Sequence, residues 1–169
     1  MNFIESILPN AASIPDEFLE ATIETLYMTL WTAGLGFVLG LGLGVWLVLT
    51  QPKGLKANST VYGVLDKFVN IFRSIPFVIM IALLVNITRL IAGTSIGTTA
   101  AIVPLVVAPV PFYARQIQNA LVEVNPGVIE AAQAMGLSTG DIVFRVYLKE
   151  ALPGIIRVSA LSIINVIGL

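Results

Sequence analysis

Side chains that usually carry enzymatic chemistry are scarce in this sequence. Its 169 residues include no His and no Cys, which removes thiol nucleophiles, imidazole proton shuttles, Cys/His metal sites and disulfide frameworks. Carboxylates remain. Glu130 sits in a helix-forming stretch and invites a general acid–base reading, but no second acid, His or metal cluster accompanies it. An intramembrane protease would need a Ser/His, paired-Asp or His–metal set within the apolar segments, and none is present. No Gly-x-x-x-x-Gly-Lys-Ser/Thr phosphate loop occurs either, so nucleotide hydrolysis has no home in this chain. A different chemistry is available to Asn86, Arg115, Gln116, Asn119 and Asn165, which lie in or beside apolar stretches. They can hydrogen-bond a passing solute or a neighbouring helix, and both readings stay open.

The elements that hold these residues are set by the bilayer. The chain is 57% apolar and 11% charged, with a mean hydropathy of +0.93. Soluble domains carry about 25% charged residues, so the composition predicts an all-α, polytopic helical membrane protein. The net charge of −1 offers nothing to a nucleic acid. Between Glu24 and Lys53 there is no charge, and Thr25 to Leu49 would extend about 37 Å as a helix, enough to cross a bilayer core. A second span is expected from Arg73 to Ala92, with Arg89 near its end. A third enters after Gly97 and carries Pro104, Pro109 and Pro111. A fourth begins after Pro153 and is still apolar at Leu169, so a fifth is expected beyond the sequence given.

Lys and Arg decide orientation. Residues 1–24 hold five acids, Glu5, Asp16, Glu17, Glu20 and Glu24, and no basic residue. The first connection has Lys53, Lys56 and Lys67, with Arg73 at its end; the second, Gly93 to Gly97, has none; the third has Arg115, Arg145, Lys149 and Arg157. This alternation predicts an extracytoplasmic amino terminus, with residues 1–20 outside and the first and third connections in the cytoplasm. Arg89 is the exception and would snorkel to the interface. An acidic leader also argues against a cleavable signal.

Local signals fill in detail. Ser13, Pro15, Asp16 and Glu17 read as a helix start. Gly36, Gly40 and Gly44, flanked by Gly34 and Gly42, give the first span a bare stripe, suited to packing within the chain or to a dimer seam. The three prolines predict bends, which in some transporters mark substrate sites. Arg73, Ser74 and Pro76 read as a span-entry motif, with Arg73 as an interface anchor. Tyr62, Phe68, Phe72, Phe77, Tyr113 and Tyr147 are expected in aromatic belts.

The connection from about Ile117 to Leu152 is long and not Gly/Ser-rich. From Val128 it reads as a helix ending at Gly136, entered through Pro126 and Gly127. Ser138 and Asp141 then predict a capping box. A second amphipathic helix follows, with Ile142, Val143, Val146 and Leu148 among Arg145, Lys149 and Glu150. Such a helix pair could lie on a membrane or fill a groove on a partner.

At this point a family comes into view. Glu130-Ala131-Ala132, three residues, Gly136, nine residues, then Val146-x-Leu148 resembles the EAA loop of ABC importer permeases. The usual Pro is replaced by Lys149, with Pro153 further on. Asn70 to Phe77, Gly93 to Gly97, Pro104, Pro111-Phe112, Ala114-Arg115 and Glu150 to Gly154 are similar to the methionine-uptake branch. The similarity runs from about Ala21 to the end.

The resemblance implies a type I ABC importer permease core over residues 21–169, in a bacterial cytoplasmic membrane. It implies five spans in the full chain and a homodimer joined to two ATP-binding subunits that hold ATP and magnesium. An extracytoplasmic binding protein would deliver the amino acid. The loop would be the coupling element: Glu130 near a helix start, Ala131 and Ala132 keeping the helix slim, Met135 as an adaptable apolar contact, Gly136 turning the chain, and Val146 and Leu148 on the second helix. The resemblance makes methionine the expected cargo, with a different amino acid as the alternative; a membrane scaffold without transport would leave the motif spacing unexplained.

Overall fold

The computed structural model describes residues 14–168, and every regular element in it is helical. Residues 1–13, with Glu5 and Ser13 among them, and Leu169 lie outside the described residues. Helix α1 spans Pro15–Thr50, 36 residues, with Asp16 and Glu17 in its first turn against the positive end of the dipole. Its N-cap is Ile14, which provides no side-chain hydrogen bond. At 1.5 Å per residue α1 is about 54 Å long, more than a bilayer core requires.

The second span is built differently from the expected straight run beginning at Arg73. An amphipathic helix, α2 (Ser59–Ser74), precedes α3 (Phe77–Ala92), and the two meet at a 112° bend. Asn58 caps α2 by accepting from the Thr60 and Val61 N–H groups, both at 3.1 Å. The bend follows from Pro76. A proline forces the residue before it out of the helical region, and Ile75 is extended at φ −83°, ψ 121°. Arg73 therefore belongs to the last turn of α2, and Pro76 is the N-cap of α3.

The third span is bent as expected. Helix α4 (Thr98–Val107) meets α5 (Val110–Val122) at 41°. Pro104 is tolerated inside α4, whereas the break falls at Ala108 and Pro109, where the missing proline N–H leaves the Leu105 carbonyl without its usual donor. Two short helices, α6 (Pro126–Ala134) and α7 (Thr139–Glu150), lead into α8 (Leu152–Ile167), with Pro153 in its first turn. A 70° bend at Ala151 separates α7 from α8. By length and composition α1 alone can cross a membrane, and up to four spans are present if each bent pair counts as one. Leu30, Val38, Val78 and Leu90 point outward from these helices, the surface that lipid or partner helices would cover.

Helix α1 packs along α4 and α5 and also touches α2 and α8. The glycine stripe explains how. A side chain at Gly40 would run into the Tyr113 ring, and a Cβ at Gly44 would lie 2.6 Å from Ile117 Cγ2 and 2.8 Å from the Ala114 carbonyl oxygen. These two glycines serve packing within the chain. Gly34, Gly36 and Gly42 have open space where a Cβ would be. Tyr113, expected in an aromatic belt, is instead buried against α1. At one end of the bundle the Thr98 hydroxyl donates to Glu24 at 2.8 Å, so the basic-free connection sits beside the acidic start of α1.

Toward the other end a polar network replaces apolar contact. The Arg115 guanidinium on α5 donates to Asp66 at 2.6 Å, to Asn70 at 3.3 Å and to Gln118 at 2.6 Å. Asn70 donates to the second Asp66 oxygen at 3.0 Å, and Gln118 donates to Gln51 beyond the end of α1 at 3.2 Å. The pair is partly shielded, with Asp66 and Arg115 side chains 29% and 17% exposed. It fastens α2 to α5. Arg115 thus makes interhelical hydrogen bonds, one of its two sequence readings.

Two outcomes follow for the purified complex. Gly44→Ala should overpack the α1–α5 contact by about 1–3 kcal/mol and lower the melting temperature, while Gly42→Ala should leave it unchanged. Asp66→Ala strands a half-buried guanidinium, so it should destabilise more than the Asp66→Ala/Arg115→Met double variant in a thermal-shift cycle.

Candidate functional site

The connection after the third span is shorter than its expected bounds. Helix α5 continues through Val122, so residues 117–122 are part of the span. After Glu123 and Val124, Asn125 caps α6 by accepting from the Gly127 N–H at 2.8 Å. Pro126 occupies the first helical position, where a missing N–H costs nothing, so α6 starts two residues before Val128.

Gly136 ends α6 in the left-handed region at φ +75°. Its N–H donates to Gln133 at 2.9 Å and the Leu137 N–H reaches back to Ala132 at 3.2 Å, the paired bonds of a Schellman cap. No atom lies within 4 Å of a Cβ built there. The requirement for glycine is therefore conformational, not steric.

Ser138 then caps α7. Its hydroxyl oxygen accepts from the Asp141 N–H at 3.1 Å and donates to the Asp141 carboxylate at 2.6 Å. In a full capping box the carboxylate would take the Ser138 N–H; here it takes the hydroxyl. Arg145 Nε pairs with the other Asp141 oxygen at 3.2 Å. The Ser138 hydroxyl, and after it the Arg145 charge, hold the Asp141 carboxyl below its ordinary 3.8. Stability from this cap is present above the unfolded value and is lost only as pH falls through the lower folded one.

Within α7, residues Ile142–Tyr147 form a π-helical turn, where the Leu148 N–H reaches Val143 five residues back. The wide turn buries Ile142 and Val143 and leaves Phe144 71% exposed. Nothing in the sequence pattern marked this turn, and Phe144 was no candidate.

The loop residues divide between two faces. Glu130, Ala131, Met135 and Gly136 are exposed, Met135 to 72%, and Phe144 adds an exposed apolar ring on α7. Ala132 is buried with Ile129 and Ile142, while Val146 and Leu148 are half-buried against the same cluster. That cluster also contains Ile117 and Leu121 of α5, Val48 of α1 and Ile155 of α8. The loop helices are thereby packed onto three spans. Among the described residues no group of three or more Asp, Glu, His or Cys could hold a metal ion.

The remaining candidates scatter. Asn86 and Asn119 are exposed and Gln116 is half-buried. Arg73 lies in the last turn of α2, beside the break before α3. Its guanidinium carbon lies 5.8 Å from the Phe112 ring centroid, in the middle of the third span. Ser74 closes its own helix by donating to the Ile71 carbonyl at 2.7 Å. Asn165 shares a cavity with Arg73.

Known proteins match this arrangement in sequence and in space. Residues 36–169 match the family described as binding-protein-dependent transport system inner membrane component. The D-methionine transport system permease proteins MetI of Yersinia pestis and of Escherichia coli (strain K12) are each 48% identical over 145 residues, covering 86% of this chain and 67% of theirs. A solved structure of inward facing conformations of the MetNI methionine ABC transporter superposes with a TM-score of 0.86 at 46% identity, covering 89% of this chain and 69% of that one. The all-helical fold, the broken spans and these likenesses agree: the chain belongs to the binding-protein-dependent transport system inner membrane component family, as an ABC importer permease subunit.

Proposed function

We propose that this permease serves an ATP-driven importer of methionine, with α6 and the turn at Gly136 as the element that couples it to the ATPase. The cargo assignment rests on the 48% identity to D-methionine permeases; a different amino acid is the alternative. In this reading two permease copies pair, two separate ATP-binding subunits hold ATP and magnesium, and the chain itself is non-catalytic. A binding protein delivers the amino acid from outside, where residues 1–20 and the amino terminus lie. Residues 21–169 form the permease domain, with the coupling loop on the cytoplasmic face of the inner membrane.

One observation supports the coupling role above the others. Ile129, Ala132 and Ile142 of the loop share a core with Ile117, Leu121 and Ile155 of the spans. Close-packed interiors transmit displacement and do not absorb it. When nucleotide brings two ATPases together, a force on the exposed side of α6 would therefore rock α5 and α8. Glu130, Ala131 and Met135 offer that exposed side a charge, a flat backbone and an adaptable apolar contact. Ala132, Val146 and Leu148 serve the same motif from within, as the packing that makes the lever stiff.

The test is uptake of labelled methionine by cells carrying the complete permease, its ATPase and its binding protein, with unlabelled D- and L-amino acids as competitors and an ATPase-dead control. Energy-dependent uptake inhibited only by methionine and close thioether analogues is expected. Uptake of another amino acid would discard the cargo, and absence of any ATP-dependent uptake would discard the transport reading. A non-glycine residue in the left-handed region costs about 1–2 kcal/mol. Gly136→Val should thus leave the permease inserted but without uptake, whereas Gly136→Asn, which tolerates that region, should keep much of it. Normal uptake by Gly136→Val would remove the turn from the coupling element.

A further inference from the structure

The two bent spans break at one place. Ile75 and Pro76 interrupt the second span, Ala108 and Pro109 the third, and both breaks border a single cavity of about 490 Å³ that also reaches Asn165 on α8. This volume is in the range of sites that hold small organic molecules. Its depth can be read from the third span, Thr98 to Val122 including the bend: Pro109 and Phe112 stand near the middle, each about 15–21 Å along the helix from the two ends. Irregular backbone at such depth is tolerated where it lines a cavity.

The cavity has one charge. Arg73 lines it, held over the Phe112 ring at 5.8 Å. The cation one turn further along α5, Arg115, is already committed to Asp66, Asn70 and Gln118. Arg73 has no carboxylate within ion-pair distance among the described residues. A second source of positive potential stands beside it. The first backbone bond into α3 runs from the Met80 N–H to the Pro76 carbonyl at 3.0 Å, so the Phe77, Val78 and Ile79 N–H groups have no acceptor within α3. Phe77 itself borders the cavity. A guanidinium and an open helix N-terminus together describe a site for an anion.

The rest of the lining is apolar and aromatic. Phe72, Phe77, Phe112 and Ile164 surround the charge, and Asn165 places an amide there. Sulfur and aliphatic groups pack favourably against aromatic rings, and an amide oxygen accepts from an ammonium. A carboxylate, an ammonium and an apolar side chain are the three parts of an apolar amino acid in its zwitterionic form.

We infer that this cavity is the intramembrane subsite for the transported amino acid, with Arg73 and the start of α3 receiving its carboxylate and the three phenylalanines its side chain. The inference rests on the amino-acid import proposed above. It makes Arg73 a substrate-binding residue, not an interface anchor. Discontinuous helices whose N-termini face an anionic group at mid-membrane are a recurrent way to bind solutes there. Rocking of α5 would move the Pro109 break relative to the Pro76 break and so change the cavity's shape between states.

The experiment uses the complete complex in proteoliposomes of fixed lipid composition, supplied with methionine-loaded binding protein. Arg73→Met is expected to lower methionine uptake by at least about tenfold, the loss of a charge-assisted hydrogen bond, while assembly and basal ATP hydrolysis stay at the unmodified level. Arg73→Lys, which keeps the charge without the planar fork, should restore part of the uptake. Phe112→Leu should shift competition toward aliphatic amino acids without thioether. Unchanged uptake by Arg73→Met overturns the subsite. So does a loss that tracks reduced insertion or reduced basal hydrolysis, because that would mark Arg73 as an anchor for lipid phosphate. Failure of the unmodified complex to import methionine, in contrast, would count against the cargo and not against the residue.

Discussion

Close approach of α1 to α5 is the contact on which the remaining packing depends. In a bilayer, apolar side chains gain nothing by leaving lipid for each other, so helix pairing has to come from dense van der Waals contact. Gly40 and Gly44 supply it by admitting Tyr113 and Ile117 where a methyl group would collide. Ile117 is fully buried and belongs at once to this seam and to the cluster that receives the loop helices. One side chain therefore links the first span, the third span and the loop helices. The polar network at Arg115 lies on the same helix and adds α2 to the assembly through Asp66.

The breaks in the spans have identifiable chemistry and a common consequence. Pro76 and Pro109 each remove a backbone donor, and each sits where the chain bends. Neither break faces lipid alone; both border the cavity that holds Arg73. An unbroken second span would bury the α3 N–H groups in its own hydrogen bonds, leaving Arg73 as an isolated charge. Bending thus converts an expensive cation into part of an anion site. Where the loop packs, caps close the breaks between helices: Asn125 and Gly136 serve the two ends of α6, and Ser138 the start of α7. The loop helices are capped and packed, whereas the cavity beside the two breaks is open.

Much of this was readable from local spacing. Charge-free runs marked α1 and the apolar halves of the later spans, because a bilayer core excludes charge whatever the partner. The turn at Gly136, the Ser138 cap and the proline bend were legible for a related reason: each is decided by residues within one or two turns of helix. Helix α2 was hidden by Asp66 and Lys67, which break an apolar run but lie on one side of an amphipathic helix. The meeting of Arg73 with Phe112 was hidden because it depends on the 112° bend between α2 and α3, which no local pattern around Arg73 announces.

By itself the sequence determined that this is a helical membrane protein with a capped two-helix loop, since composition, dihedral preference and hydrogen-bond caps act over short distances; the permease reading came from the resemblance of its loop motif to a family. Tertiary structure decided which groups meet. Arg115 and Asp66 are 49 residues apart, Gly44 and Ile117 belong to different spans, and the cavity gathers residues from three. It also decided which side of α6 faces outward, turning Ala132 into core and leaving Ala131 exposed. Neighbouring alanines are chemically identical, and only the direction of the helix against Ile142 and Ile155 separates a packing residue from a surface one.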